Sequence, residues 1–431
     1  MRVYYYNKNN SPVVTVTLII PYGAVNDPKR KAGLAHLVEH MVFRGTNNYK
    51  NAPDFIRKVY SYGGVIDAMT NYYSTIYTIT LPPRYLNFAI ELLFELVFNT
   101  KLNHFDEEKA IVIQENNTLL GNQTKLLIES INKIIFKNTP YQNSVGGTRK
   151  SINNITEKDA RDFYDKYYKI NKSNLFIIGK IKISLKNLSK YISNELTKIN
   201  REKHSYSSNL KVNFQIKNIN TQLENINIRS LIKFTRSNLK SKKIGTLNKN
   251  KPLGNKNGRA LVASAFVFDN FDNIEEYAIA KILSIILGGN MISRMYSLIR
   301  EKHQLAYSTE ASVGYVKGTI VIYSLVSTNN DKKDTTKVIE LMKSIYHDIF
   351  NNGVTEKEFN VSREYLYGKI KRDEQDNTIL TLNLWNGYYF FKKFFDADKF
   401  REVFDSITLI KFNNQINKIL IPNNVLFSIQ N

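Results

Sequence analysis

Residues Ala32 to Phe43 read AGLAHLVEHMVF, a stretch with no breaker after Gly33 and with apolar residues on several faces, the pattern of a largely buried helix. Within it His36 and His40 stand four apart, so both imidazoles leave one face of the helix at a spacing that can grip a single cation. Glu39 reaches the same face, where a carboxylate sits beside a water rather than on the metal itself; the motif is HExxH read backwards. A lone histidine on an apolar helix reads as an ordinary core or surface residue. Two of the chain's six histidines at this spacing, with a glutamate between them, point to a metal.

The flanking sequence supplies a sheet for such a helix to pack on. Val13 to Ile20 (VVTVTLII) is a β-branched run bounded by Pro12 and Pro21, and Tyr62 to Thr70 and Thr75 to Leu81 also read as strands. Leu86 to Phe98 and Asp106 to Gly121 read as helices, the second opening on the acidic turn Asp106, Glu107 and Glu108. A catalytic zinc site needs a third protein ligand, and Glu115, in the middle of that second helix, is the candidate. Glu108 lies two helical turns earlier on the same face, where it can orient a ligand imidazole or a water. Alone, Glu115 would read as a solvated helix residue, and Glu107 and Glu108 as partners of the helix N-terminus.

Further on, Glu157 to Tyr168 reads as a helix and Asn174 to Ile178 as a strand. Residues 206–258 are rich in Asn, Lys and Ser, the composition of a solvated connection, parts of which can pair as strands. Ala260 to Phe268 (strand) and Ile274 to Leu287 (helix) then repeat the opening order, and YYKINKSNLFIIG near residue 170 is echoed by INKILIPNNVLFSIQ near 420. Two related α+β halves are expected: residues 1–205 with the metal site, a connection over 206–258, and a second half over 259–431.

Composition bounds the rest. The chain has 431 residues, 42% hydrophobic and 23% charged, within the range of globular proteins with more than one core. With no cysteine, disulfides and thiolate chemistry are excluded, and a metal must rely on His and carboxylates. No apolar run suits a secretory signal or a membrane span, so a cytoplasmic location is expected, or a mitochondrial or other organelle lumen if a targeting segment has been removed. The net charge of +23 raises nucleic-acid binding as a competing class. The basic residues are spread along the chain without a nucleic-acid motif, so no nucleic-acid partner is expected; salt-dependent retention on nucleic acid would favour that class.

The segment YGAVNDPKRKAGLAHLVEHMVFRGTNNY, with Glu115 75 residues beyond His40 and Glu108 seven before it, resembles the pitrilysin (insulinase) family of zinc peptidases, the inverzincins. The likeness runs over nearly the whole length, specifically to the branch of roughly half-length members resembling the β subunit of mitochondrial processing peptidase. GGVIDAMT followed by TIY resembles the family's substrate-pairing edge strand, which implies substrate contacts from Gly64, Asp67, Ala68 and Thr70; Asp67 stands where the family has Asn. PYQNSVGGT and NLFIIGKI match the first half as well. LGGNMISRMYSLIREKHQLAYS resembles the second half's glycine-containing junction with its Arg and Tyr pair, here Arg300 and Tyr307, donors suited to a substrate carbonyl.

The resemblance implies that each half is an antiparallel-rich sheet with helices on one face, and that the chain pairs with an identical or a related chain around a chamber. It further implies Zn2+ held by His36, His40 and Glu115, Glu39 as general base, Glu108 behind the ligands, and hydrolysis of extended, unstructured peptides or presequence-like segments. The competing class within the same fold is a non-catalytic scaffold or partner subunit. Such members commonly have eroded motifs, whereas His36, Glu39, His40, Glu115, Arg300 and Tyr307 are all present here.

Overall fold

A computed structural model describes residues 1–119, 122–203, 216–219, 258–269, 273–316, 318–420 and 425–430. Six strands form the first sheet: β1 (Arg2–Asn7), β2 (Val14–Ile20), β3 (Val65–Thr70), β4 (Thr75–Leu81), β5 (Asn174–Gly179) and β6 (Ile216–Asn218), in the order β3-β4-β2-β5-β1-β6. The first four pair antiparallel, while β1 runs parallel to both β5 and β6. The β-branched run of β2 is buried at all seven positions because the strand lies between β4 and β5. Val14, Val16 and Leu18 enter the core of this half, each contributing about 1.5–3 kcal/mol as a fully buried aliphatic side chain. On the opposite face the buried hydroxyls of Thr15 and Thr17 meet Thr80 and Thr78 across the ladder at 2.9 and 3.1 Å, which removes the cost of burying them.

The helices of this half that matter below are α1 (Leu34–Val42), α2 (Ala52–Tyr60), α3 (Leu86–Phe98) and α4 (Phe105–Leu119). α3 packs on β2 and β4, and α1 packs on β3 and β4 and against α4. The strand expected over Tyr62 to Thr70 starts only at Val65: Gly63 takes a left-handed φ of 69°, and a Cβ on Gly64 would meet Leu81 Cδ2 at 2.1 Å.

The second sheet is wholly antiparallel, with β7 (Arg259–Asp269), β8 (Ser308–Val316), β9 (Thr319–Asn329) and β10 (Leu426–Gln430) in the order β10-β7-β9-β8. Its core includes nine residues of one helix, Ile274–Gly288. The fold class is therefore the expected one, two sheets each with its own helices and hydrophobic core.

The two compact units are interleaved in sequence. The first comprises Met1–Gly121, Asn138–Asn225 and Asp376–Leu382, and the second Asn122–Lys137, Ile226–Gln375 and Asn383–Asn431. Helix α5 (Gln123–Ile135) belongs to the second unit because it packs on β7 and β10, with Tyr323 donating its hydroxyl to Asn132 Oδ1 at 2.6 Å. Asn377 belongs to the first, donating to Ser11 Oγ at 3.3 Å. A cut at residue 206 contains neither exchange. Most of the expected connection over 206–258 lies outside the described residues; its one described strand, β6, pairs with β1.

Candidate metal centre

The helix that carries the histidines begins in an unusual way. Gly33, its N-cap, has φ 97°, and a Cβ there would meet Ile152 Cδ1 at 2.4 Å and the Gly146 carbonyl oxygen at 2.8 Å, so the position takes only glycine. Gly33 has no side chain to cap α1, and Asp27 supplies the acceptor from outside the helix. Its carboxylate receives the N–H of Gly33 at 2.7 Å and of Ala35 at 2.8 Å, satisfying donors that the first turn leaves open. Burial pushes Asp27 up to about 7, against the pull of those N–H groups.

From that anchor α1 projects its two imidazoles side by side, with ring centroids 4.7 Å apart and planes at 76°. Glu115 comes from α4: its Oε2 lies 3.4 Å from His40 Nε2 and 3.9 Å from His36 Nε2. One donor atom from each of His36, His40 and Glu115 lies within 4.8 Å of the others. Donors about 2.0–2.2 Å from a tetrahedral zinc stand roughly 3.3–3.6 Å apart, so two imidazole nitrogens and a carboxylate oxygen at these separations fit that ion with small adjustments. Asn116, next to Glu115, donates to the Gly146 carbonyl at 2.7 Å and so ties α4 to the loop that abuts the start of α1.

Glu108 is 2% exposed and its Oε2 lies 3.0 Å from His40 Nδ1, within hydrogen-bond distance of that ring nitrogen. Its other oxygen, Oε1, is taken by the guanidinium of Arg44. Glu107, by contrast, faces solvent and pairs with His104. Glu39 is buried, and its Oε2 accepts a hydrogen bond from Thr70 Oγ1 at 2.5 Å. Burial pushes Glu39 up to about 7; Thr70 and His40 draw it down, while Glu115 and Asp67 push it up.

On β3 the side chains alternate, with Val65, Asp67 and Met69 exposed and Ile66, Ala68 and Thr70 half-buried. Ile66 and Ala68 pack on the core, and Thr70 reaches Glu39, so the hydroxyl of Thr70 serves the carboxylate. Asp67 Oδ1 accepts from the N–H of Ala68 at 2.9 Å. β3 is the outermost strand of its sheet among the described residues, pairing through its inner edge with β4.

Arg300 and Tyr307 belong to the second unit. Arg300 stacks over Tyr296 at 4.8 Å and lines a cavity of about 980 Å³ with β8 residues Ser308 to Val313. Tyr307 is 63% exposed and lies under the guanidinium of Arg259 at 3.8 Å.

Residues 2–149 match the family described as "Insulinase (Peptidase family M16)" and residues 154–366 match "Peptidase M16 inactive domain". The chain belongs to the M16 (insulinase) peptidase family, as the resemblance of its sequence implied. An uncharacterized zinc protease of Rickettsia felis is 22% identical over 425 residues, covering 97% of this chain and 92% of that protein. The mitochondrial-processing peptidase subunit beta of Mus musculus is 26% identical over 157 residues, 36% of this chain and 32% of that one. A protease from Helicobacter pylori has the same fold, with a TM-score of 0.77 at 16% identity over 98% of this chain and 94% of that chain. The second half, which matches the inactive-type domain, has no counterpart of the HLVEH motif, and the three-residue cluster on α1 and α4 is the one metal-competent group among the described residues.

The anchoring of α1 gives a pH signature. Because Asp27 is raised to about 7 from its ordinary 3.8, the native state holds a proton that the unfolded chain releases between those values. The stability that Asp27 contributes therefore declines as pH rises from about 4 to 7 and is level above that range. Asp27→Asn, with no proton to exchange, removes the slope: the wild-type minus variant difference in denaturant midpoint falls between pH 5 and 7. A difference independent of pH would show that Asp27 is not the buried acid.

Proposed function

We propose that this chain is a zinc-dependent endopeptidase acting on extended, unstructured peptides. The observation that carries the reading is the convergence of His36 and His40 of α1 with Glu115 of α4, with the buried carboxylate of Glu39 close enough to interact with His40 and Glu115. A bound zinc ion would polarise the scissile carbonyl and make water a stronger acid. Glu39 takes a proton from the attacking water as the water oxygen adds to the carbonyl carbon. It passes that proton to the amide nitrogen as the C–N bond breaks. With Oε2 engaged by Thr70, the proton is assigned to Oε1, and a carboxyl that burial raises to about 7 is suited to both transfers.

The outer edge of β3 offers backbone donors and acceptors to a strand-like segment, which requires that the substrate be extended where it is cut. For Arg300 and Tyr307 we carry over the substrate-contacting role implied by the family resemblance, and likewise the pairing with a second chain, identical or related.

Glu39→Gln is expected to keep zinc and to lose turnover by several orders of magnitude, as removal of a proton carrier at the reacting water does; near-normal activity with zinc bound would leave Glu39 a structural role. Arg300→Ala is expected to keep zinc and lower kcat/KM. One peptide sequence assayed free and again inside a stable folded domain, at the same zinc and salt, is expected to be cut far faster when free. Equal rates for both forms would remove the edge-strand argument while leaving the zinc chemistry standing.

A further inference from the structure

We propose that Arg44 is a positioning residue for the metal ligand His40, acting through Glu108. The inference rests on the zinc reading of the same site and concerns how one ligand is prepared for the ion. His36, His40 and Arg44 are spaced by four residues, so Arg44 follows the two imidazoles one turn further on, just past the end of α1. Its Nε donates to Glu108 Oε1, and its Nη2 makes an ion pair with the same oxygen. Glu108 Oε2 is left to His40 Nδ1 at 3.0 Å.

The consequence for His40 follows from donor and acceptor roles. A carboxylate held by a guanidinium can only accept, so His40 Nδ1 must carry the hydrogen. Nε2 then presents its lone pair, and Nε2 is the atom that lies 3.4 Å from Glu115 Oε2. Glu108 by itself does not guarantee this arrangement. A carboxyl 2% exposed has little water to hold it in one rotamer, and without a second partner it is free to turn away from His40. Arg44, with 29% of its side chain exposed, brings the compensating charge from the rim of the site. The path Arg44 to Glu108 to His40 therefore fixes the tautomer and the ring plane of one ligand before any ion arrives. No comparable contact from Arg44 reaches His36 among the hydrogen bonds and ion pairs of the described residues.

The test uses the full chain in two states. In metal-free protein labelled with 15N-histidine, long-range 1H–15N spectra read the His40 tautomer. In a second measurement, competition with a chromophoric chelator reads zinc affinity. Wild type is expected to show His40 as the Nδ1–H tautomer. Arg44→Met is expected to give a tautomer mixture and to lose about 10–100-fold in zinc affinity, the usual effect of removing an outer partner of a metal ligand. Arg44→Lys, which keeps the charge and one donor, is expected to recover part of both, and Arg44→Gln serves if the methionine variant does not fold. Unchanged affinity in Arg44→Met, or a loss of affinity with the His40 tautomer unchanged, overturns the proposal. Wild-type protein that binds no zinc would refute the zinc reading instead, and the tautomer comparison in metal-free protein would still decide the role of Arg44.

Discussion

A carboxylate buried as deeply as Glu108 is costly unless both oxygens are occupied, and here His40 takes one and Arg44 the other. That constraint fixes α1 to α4, since His40 and Arg44 come from the first helix and its exit and Glu108 from the second. Two turns along α4, Glu115 is then delivered to the imidazoles at 3.4 and 3.9 Å. The rest of the first unit can be understood as support for this contact. β2 and β4 give α3 and α1 a buried surface to pack on, Asp27 fixes where α1 starts, and Asn116 holds α4 to the loop at Gly146.

On the proposed reading, two buried carboxylates within one site perform different tasks because their surroundings differ. Glu108 faces a guanidinium and an imidazole and is held as an acceptor. Glu39 accepts from one hydroxyl, with His40, Glu115 and Asp67 near enough to act on its charge, and burial lifts it to about 7, where a carboxyl can take up and release a proton. Environment, rather than residue type, separates the orienter from the proton carrier.

Much of this was legible in the sequence, and what was not has physical causes. The spacing of His36, Glu39 and His40 on a breaker-free apolar run is a local signal, and the helix is where the pattern places it. The distance to Glu115 is not local: periodicity shows a mid-helix glutamate, and only the family's spacing assigned it to the metal. The hydrogen bond of Thr70 to Glu39 was not legible, because alternation along β3 can be read from sequence while the partner of an inward hydroxyl cannot. Arg44 left a signal, its position four after His40, whose meaning depends on a glutamate 64 residues away. Asp27 caps a helix that begins seven residues later, beyond the range at which capping patterns are read. The exchange of α5 into the second unit is a tertiary choice of packing partner, which an amphipathic pattern does not encode.

The central claim is that His36, His40 and Glu115 hold one zinc ion. Zinc analysis with X-ray absorption at the zinc edge, on wild type and on the His36→Ala and Glu115→Gln variants, tests it most directly. The account predicts about one zinc per chain with two imidazole nitrogens and a carboxylate oxygen in its shell, and loss or marked weakening of binding in both variants. A peptide-cleaving wild-type protein with no divalent metal, or zinc retained unchanged in the His36→Ala variant, would contradict it.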